Sequence, residues 1–280
     1  MIESVLDQEL VRNLCIPPRP EIVTVLYEEM SRDAPNFPRI SKCITADVGL
    51  SAAMLKVANS PALGLATKAK SVARAIDILG LRNVSGIATG LIIRHSLSKG
   101  ASTAALERFW QTAENTALIC ARLAKRLRGI APDEAYTLGL FHDCGIPILM
   151  QHHPRYKSVL EHAMGAGNRD IMTQEEEAVG THHGAVGYFL ARSWQLPDDL
   201  CRTILWHHDL EVFEDPLISE TVRNFVGLIH LAEHVHHQMM RSTVDAEWEK
   251  FEDAITAHFG LTEEDIVSLT DDANDALIKE

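Results

Sequence analysis

Residues 47–61, DVGLSAAMLKVANSP, read as one helix and its end. Val48, Ala52, Leu55 and Val57 fall on an apolar stripe, and Asn59-Ser60-Pro61 is a turn-forming cluster that stops it. The same spacing recurs along the chain. Val72 to Leu79 is a second helix, closed by Gly80, and Asn83 to Leu97 is a third, apolar enough to be largely buried. Lys99-Gly100-Ala101-Ser102-Thr103 reads as a loop between two parts of the molecule. Further helices are expected over 104–128, 132–142, 154–166, 173–194, 198–208, 219–241, 244–259 and 262–278. No Val/Ile/Thr-rich segment alternates cleanly between turn signals, and no repeat has a fixed period. The expected fold class is all-α.

Composition narrows the function classes. The chain has 280 residues, 46% hydrophobic and 23% charged, which excludes disordered, collagen-like and low-complexity chains. Its formal charge of -13 opposes non-specific binding to nucleic acid, which needs clustered cations. No apolar run approaches the ~18–20 residues that span a bilayer. Met1-Ile2-Glu3-Ser4 lacks the basic start of a signal peptide. Five scattered cysteines without a CxxC pair suit reduced, buried thiols. The expectation is a soluble, acidic, cytoplasmic protein whose last ~35 residues form a solvated amphipathic end.

Fourteen histidines carry most of the chemical information. In Leu140-Phe141-His142-Asp143-Cys144-Gly145, His142 shares a stripe with Ala135, Leu138 and Gly139, so its ring is expected to point inward. An adjacent imidazole and carboxylate beside a glycine could reach one cation, and their donor types suit a first-row transition metal or Mg²⁺. His183 lines up with Val186, Gly187, Leu190 and Trp194, and His207 with Leu200 and Ile204, with His208 beside it. Glu233 lies in line with Val222, Val226, Ile229 and His236, where a buried carboxylate needs a cation or donors. Singly, an inward histidine is more often a hydrogen-bonded core residue than a ligand. His207-His208 could merely end a helix on its dipole. His152, His153, His182, His234 and His237 are expected at the surface or rim.

The segment TADVGLSAAMLKVANSPAL, Thr45 to Leu63, resembles the N-terminal signature of the HDOD domain, the HD-related output domain of bacterial signalling proteins. Ile16-Pro17-Pro18-Arg19-Pro20 before it, and Ala75-Ile76-Asp77-Ile78-Leu79-Gly80 after it, resemble that family's next features. Phe109-Trp110, Gly139 to Gly145, EAVGTHHGAVG at 177–187, Ser193-Trp194-Gln195-Leu196-Pro197 and Trp206-His207-His208 follow in the family's order, so the resemblance runs over about 15–235. It implies an all-α fold with an N-terminal helical lobe (1–100) and a lobe related to HD-domain phosphohydrolases (101–241), and residues 242–280 are expected to add a C-terminal helical extension.

That superfamily binds divalent metal through a His, a His-Asp pair and a late Asp, and its cyclic-di-GMP phosphodiesterase branch adds another His and a His-His pair. By resemblance the pair is His142-Asp143, the additional His is His183, the second pair is His207-His208, and the late acid is Glu233. The implied cofactor is a divalent metal (Fe, Mn, Ni, Zn or Mg), or none. Three features depart from the family. The first His belongs on the inward stripe of the 104–128 helix, read as Phe109, Thr112, Ala113, Thr116, Cys120 and Leu123, and Thr112 is its expected occupant. Ile146 replaces a Lys, and Asp209-Leu210-Glu211 stands where a GYP segment would follow.

Two functions from different classes follow. The first is a non-catalytic regulatory or scaffold module of bacterial signal transduction, with a degenerate HD metal site and a protein partner. The second is a metal-dependent phosphohydrolase acting on a nucleotide or other phosphoester, with His142, Asp143, His183, His207 and Glu233 holding the metal and His208 or Asp143 assisting proton transfer. Membrane and nucleic acid are not expected partners. Trp248, Phe251, Phe259 and Leu261 either contact a partner or pack on the core, and packing is favoured.

Overall fold

Short polar residues start the helices where the chain supplies them, and apolar faces hold the helices together. The computed structural model describes residues 16–63, 67–98, 104–165, 171–240 and 246–278. The helices are α1 (Glu21–Met30), α2 (Phe37–Thr45), α3 (Val48–Ala58), α4 (Val72–Leu79), α5 (Leu81–Leu97), α6 (Ala104–Leu123), α7 (Pro132–Phe141), α8 (Gly145–His152), α9 (Tyr156–Gly165), α10 (Ile171–Val179), α11 (His183–Ser193), α12 (Asp198–Trp206), α13 (Glu220–Met239), α14 (Ala246–Phe259) and α15 (Glu263–Ile278). Among the described residues there is no strand, so the fold is all-α.

Local chemistry explains several boundaries. Asn36, Asp47, Ser71 and Ser219 each accept a backbone N–H of the following turn, capping α2, α3, α4 and α13. Asn59 stops α3 and braces the next turn, donating to Ala69 O at 2.9 Å and accepting Ala69 N–H at 2.7 Å.

The long apolar α5 packs on α1, α3 and α4 on one side and on α7 on the other, so the buried core is continuous along the chain. α6 lies along α7 and α13, and α11 packs against α8 and α12. Trp194 Nε1 donates to Pro17 O at 2.9 Å, tying the proline-rich leading segment to the end of α11. Trp248 and Phe251 of α14 are buried within the chain, so they pack on the core. Ile266, Leu269 and Ala273 give α15 an equally buried face.

Several expectations need correction. Val48 is 82% exposed and Ala52 is exposed too, because α3 buries Met54 and Ala58 alongside Val57, the one residue of the expected stripe that is fully covered. The 173–194 stretch is two helices, since Gly180 turns left-handed at φ +78° and the chain restarts at His183. His182 is buried as the cap of α11, its Nδ1 accepting Ala185 N–H at 3.2 Å. Helices α1, α2 and α8 were not marked by apolar spacing. The expected 99–103 loop and the residues before Ile16 lie outside the described residues. Among the described residues, no helix is long and apolar enough to cross a membrane.

Candidate metal centre

Three histidines from three chain segments bring Nε2 against the Asp143 carboxylate, and a fourth, His208, brings its Nε2 against that of His183. His142 caps the end of α7 and Asp143 follows it in the turn before α8. His183 opens α11, His207 caps α12 with His208 after it, and Glu233 lies on α13. His142, His183 and His207 are buried, whereas the Asp143 and Glu233 side chains are 25% and 28% exposed. Gly145 permits this convergence. A Cβ there would lie 2.0 Å from His183 O, so α8 can meet the start of α11 only through a glycine.

Each ring is oriented from behind through Nδ1. His142 Nδ1 donates to Gly139 O at 2.9 Å, and His207 Nδ1 to Ile204 O at 2.9 Å. His183 Nδ1 donates to Glu175 Oε2 at 2.8 Å, and His208 Nδ1 to Glu247 Oε2 at 3.1 Å. Carbonyls and carboxylates can only accept, so in a neutral ring the proton sits on Nδ1 and Nε2 carries a lone pair. Glu175 is fully buried, and it also accepts the His183 backbone N–H at 2.9 Å and the Tyr156 hydroxyl.

The inward atoms are close and have no donor between neutral rings. His183 Nε2 lies 3.3 Å from His207 Nε2 and 3.2 Å from His208 Nε2. Asp143 Oδ1 is 3.3 Å from His183 Nε2 and 3.4 Å from His207 Nε2. Its other oxygen, Oδ2, is 3.3 Å from His142 Nε2, which is 3.3 Å from Glu233 Oε1. Lone pairs at these separations repel unless protons or a metal cation lie among them. Ligands about 2.1 Å from one ion, at angles of about 90–110°, sit about 3.0–3.4 Å apart. The residues therefore fit a metal, in two groups that share Asp143: Asp143 with His183, His207 and His208, and Asp143 with His142 and Glu233.

Without a metal, the same carboxylates draw protons onto the rings beside them. Burial opposes charge on His183, yet the Glu175 and Asp143 carboxylates outweigh it and push the ring up to about 10. Asp143 and Glu233 are held below the usual carboxylate range, because their histidine neighbours outweigh the cost of burial. Burial and the surrounding rings push His208 down, leaving it a neutral donor.

A profile of the HDOD domain matches residues 16–210. The chain belongs to the HDOD domain family. Solved structures with the same fold include an HDOD domain protein of Geobacter sulfurreducens, at TM-score 0.73 and 21% identity over 100% of this chain and 96% of that one. A Shewanella amazonensis protein provisionally named a phosphohydrolase is similar at TM-score 0.68 and 21% identity, covering 96% and 98% of the two chains. A Marinobacter aquaeolei protein provisionally named a signal transduction protein is similar at TM-score 0.67 and 21% identity, covering 95% of this chain and 59% of that one. An uncharacterized protein of Treponema pallidum is 23% identical over 212 residues, 73% of this HDOD chain. The HDOD chain spans 40% of that relative's length.

All six residues singled out in this HDOD sequence come together. Thr112 does not join them: it is exposed, and α6 reaches toward the centre at Cys120, whose thiol is raised by burial and by the nearby Glu233 charge. Glu175, His230 and Glu247 were missed. His230 is buried, donates from Nε2 to His207 O at 2.5 Å and stacks on Phe251 at 3.9 Å. Its place three residues before Glu233, on one helix face, was the available signal.

Proposed function

We propose that this chain is a regulatory module of bacterial signal transduction, built around a tightly held divalent transition-metal ion rather than around catalysis. The observation that carries the metal is the clustering of the His183, His207 and His208 Nε2 atoms with Asp143, each ring held from behind through Nδ1. Three imidazoles with a carboxylate favour Zn, Fe, Ni or Mn over Mg²⁺. Four protein donors complete a tetrahedral shell, the pattern of a structural site with no position left for substrate. The Marinobacter relative's name supports a signalling context, and the partner would be another protein.

Elemental analysis of protein purified without chelator tests the metal. About one equivalent per chain, lost in Asp143→Ala, is the expected result. Metal at background in the wild-type protein would remove the proposal.

A second reading, a metal-dependent phosphohydrolase, is favoured by the other half of the centre. His142, Asp143 and Glu233 offer only three donors, and their carboxylates face solvent, leaving positions for water and a phosphoester. A metal there would supply an acidified water and polarise a phosphoryl oxygen. Ile146, which replaces the family's Lys, is buried and brings no charge. Two metal equivalents together with Mn²⁺-stimulated hydrolysis of a phosphodiester, abolished by Asp143→Ala, would replace the first reading with this one.

A further inference from the structure

The profile match ends at residue 210, yet two helices beyond it build the back of the centre. α14 grips His208 twice: Glu247 Oε2 accepts Nδ1–H at 3.1 Å, and the Lys250 ammonium donates to His208 O at 2.7 Å. The same helix stacks Phe251 on His230 at 3.9 Å and Trp248 on His234 at 4.3 Å. His230 in turn holds His207 O. His142 and His207 are oriented by backbone carbonyls of their own helix ends, and His183 by the fully buried Glu175. His208 alone among the four depends on a side chain from the C-terminal helices.

We propose that Glu247 is a positioning residue for the metal, fixing the His208 ring and tautomer so that Nε2 faces the ion, and that docking of α14 and metal loading therefore stabilise each other. This rests on the metal reading above. A ligand histidine that loses its outer acceptor can turn or move its proton to Nε2, and either change removes its lone pair from the ion. Because coupling is reciprocal, whatever α14 contributes to metal affinity, metal contributes to the docking of α14.

The test measures Zn²⁺ affinity, the visible spectrum with Co²⁺, and backbone hydrogen exchange over 246–259, in full-length wild-type protein, Glu247→Ala and Glu247→Gln. The expected result is a loss of Zn²⁺ affinity of about tenfold or more in Glu247→Ala. Glu247→Gln, which keeps an acceptor, should retain most of the affinity. The Co²⁺ spectrum should change in Glu247→Ala, and Zn²⁺ should slow exchange in α14 of wild type but not of that variant. Equal affinity in all three proteins overturns the proposal while leaving the metal reading intact. Equal losses in Ala and Gln variants also overturn it, since the retained acceptor would then have no role. Wild-type protein that takes up neither Zn²⁺ nor Co²⁺ overturns both readings. If metal-free Glu247→Ala melts early, the comparison of Glu247→Gln with wild type decides.

Discussion

Gly145 shows how much a single position can govern. It has no unusual dihedral, but its missing side chain lets the turn after Asp143 touch the His183 backbone. A methyl group there has to push α8 away from α11, and the atom in its way is a backbone oxygen that cannot rotate aside. Gly145→Ala is expected to cost about 2–3 kcal/mol in denaturant melts, by overpacking. It should weaken metal binding as well, because His183 moves with the displaced backbone. A stable variant with unchanged metal content would mean that the two helices separate without disturbing the ring. The sequence shows Gly145 next to the His-Asp pair, but its partner is 38 residues later and reached only through the fold. Glu175 was invisible for a similar reason: it looks like one of three consecutive surface glutamates, and only the packing of α10 buries it.

Among the helices, α15 has the plainest electrostatic anchor. Arg122 of α6 makes two parallel bonds to Asp272, at 2.8 and 2.6 Å, with both side chains less than a third exposed. Asp272 is held below its ordinary range mainly by this hydrogen-bonded guanidinium. Its depressed value means the contribution is present above the unfolded carboxyl range and is lost as pH falls through the folded value. Asp272→Asn is expected to cost about 1 kcal/mol after allowance for solvent screening, with faster hydrogen exchange over 263–278. Unchanged exchange would show that the apolar face of α15 suffices. Helical spacing found most of the elements here. It failed at the start of α3, where Val48 and Ala52 face water although Val57 of the same stripe is buried, since periodicity tells which residues share a face but not which face meets a neighbour. It also ran through Gly180, where a left-handed residue ends one helix and His182 caps another.

Across the whole molecule, the centre couples stability to both protons and metal. His183 is pushed up to about 10 from the ordinary imidazole value of 6.5, so in the metal-free protein its charged form stabilises the fold below the unfolded value. That contribution disappears as pH rises through about 10. A metal ligand must instead be deprotonated, so metal affinity rises over the same window. Thermal melts in chelator are therefore expected to fall between neutral pH and about pH 10, and added Zn²⁺ should offset the fall increasingly toward the alkaline end. A gain from Zn²⁺ that shrinks with rising pH would contradict the ligand assignment of His183.

The linear sequence by itself determined the helical class, the positions of most helices and the identity of the six side chains at the centre. Those properties depend on local spacing, on turn residues and on motif order, all of which are written along the chain. Tertiary structure alone decided that the six side chains converge, that the Nε2 atoms rather than the Nδ1 atoms face inward, and that Glu175 and Glu247 stand behind them. Thr112 lost its expected place for the same reason. Convergence requires the relative placement of helices separated by dozens of residues, and that placement is set by packing, by close glycine contacts and by hydrogen bonds that no local pattern encodes.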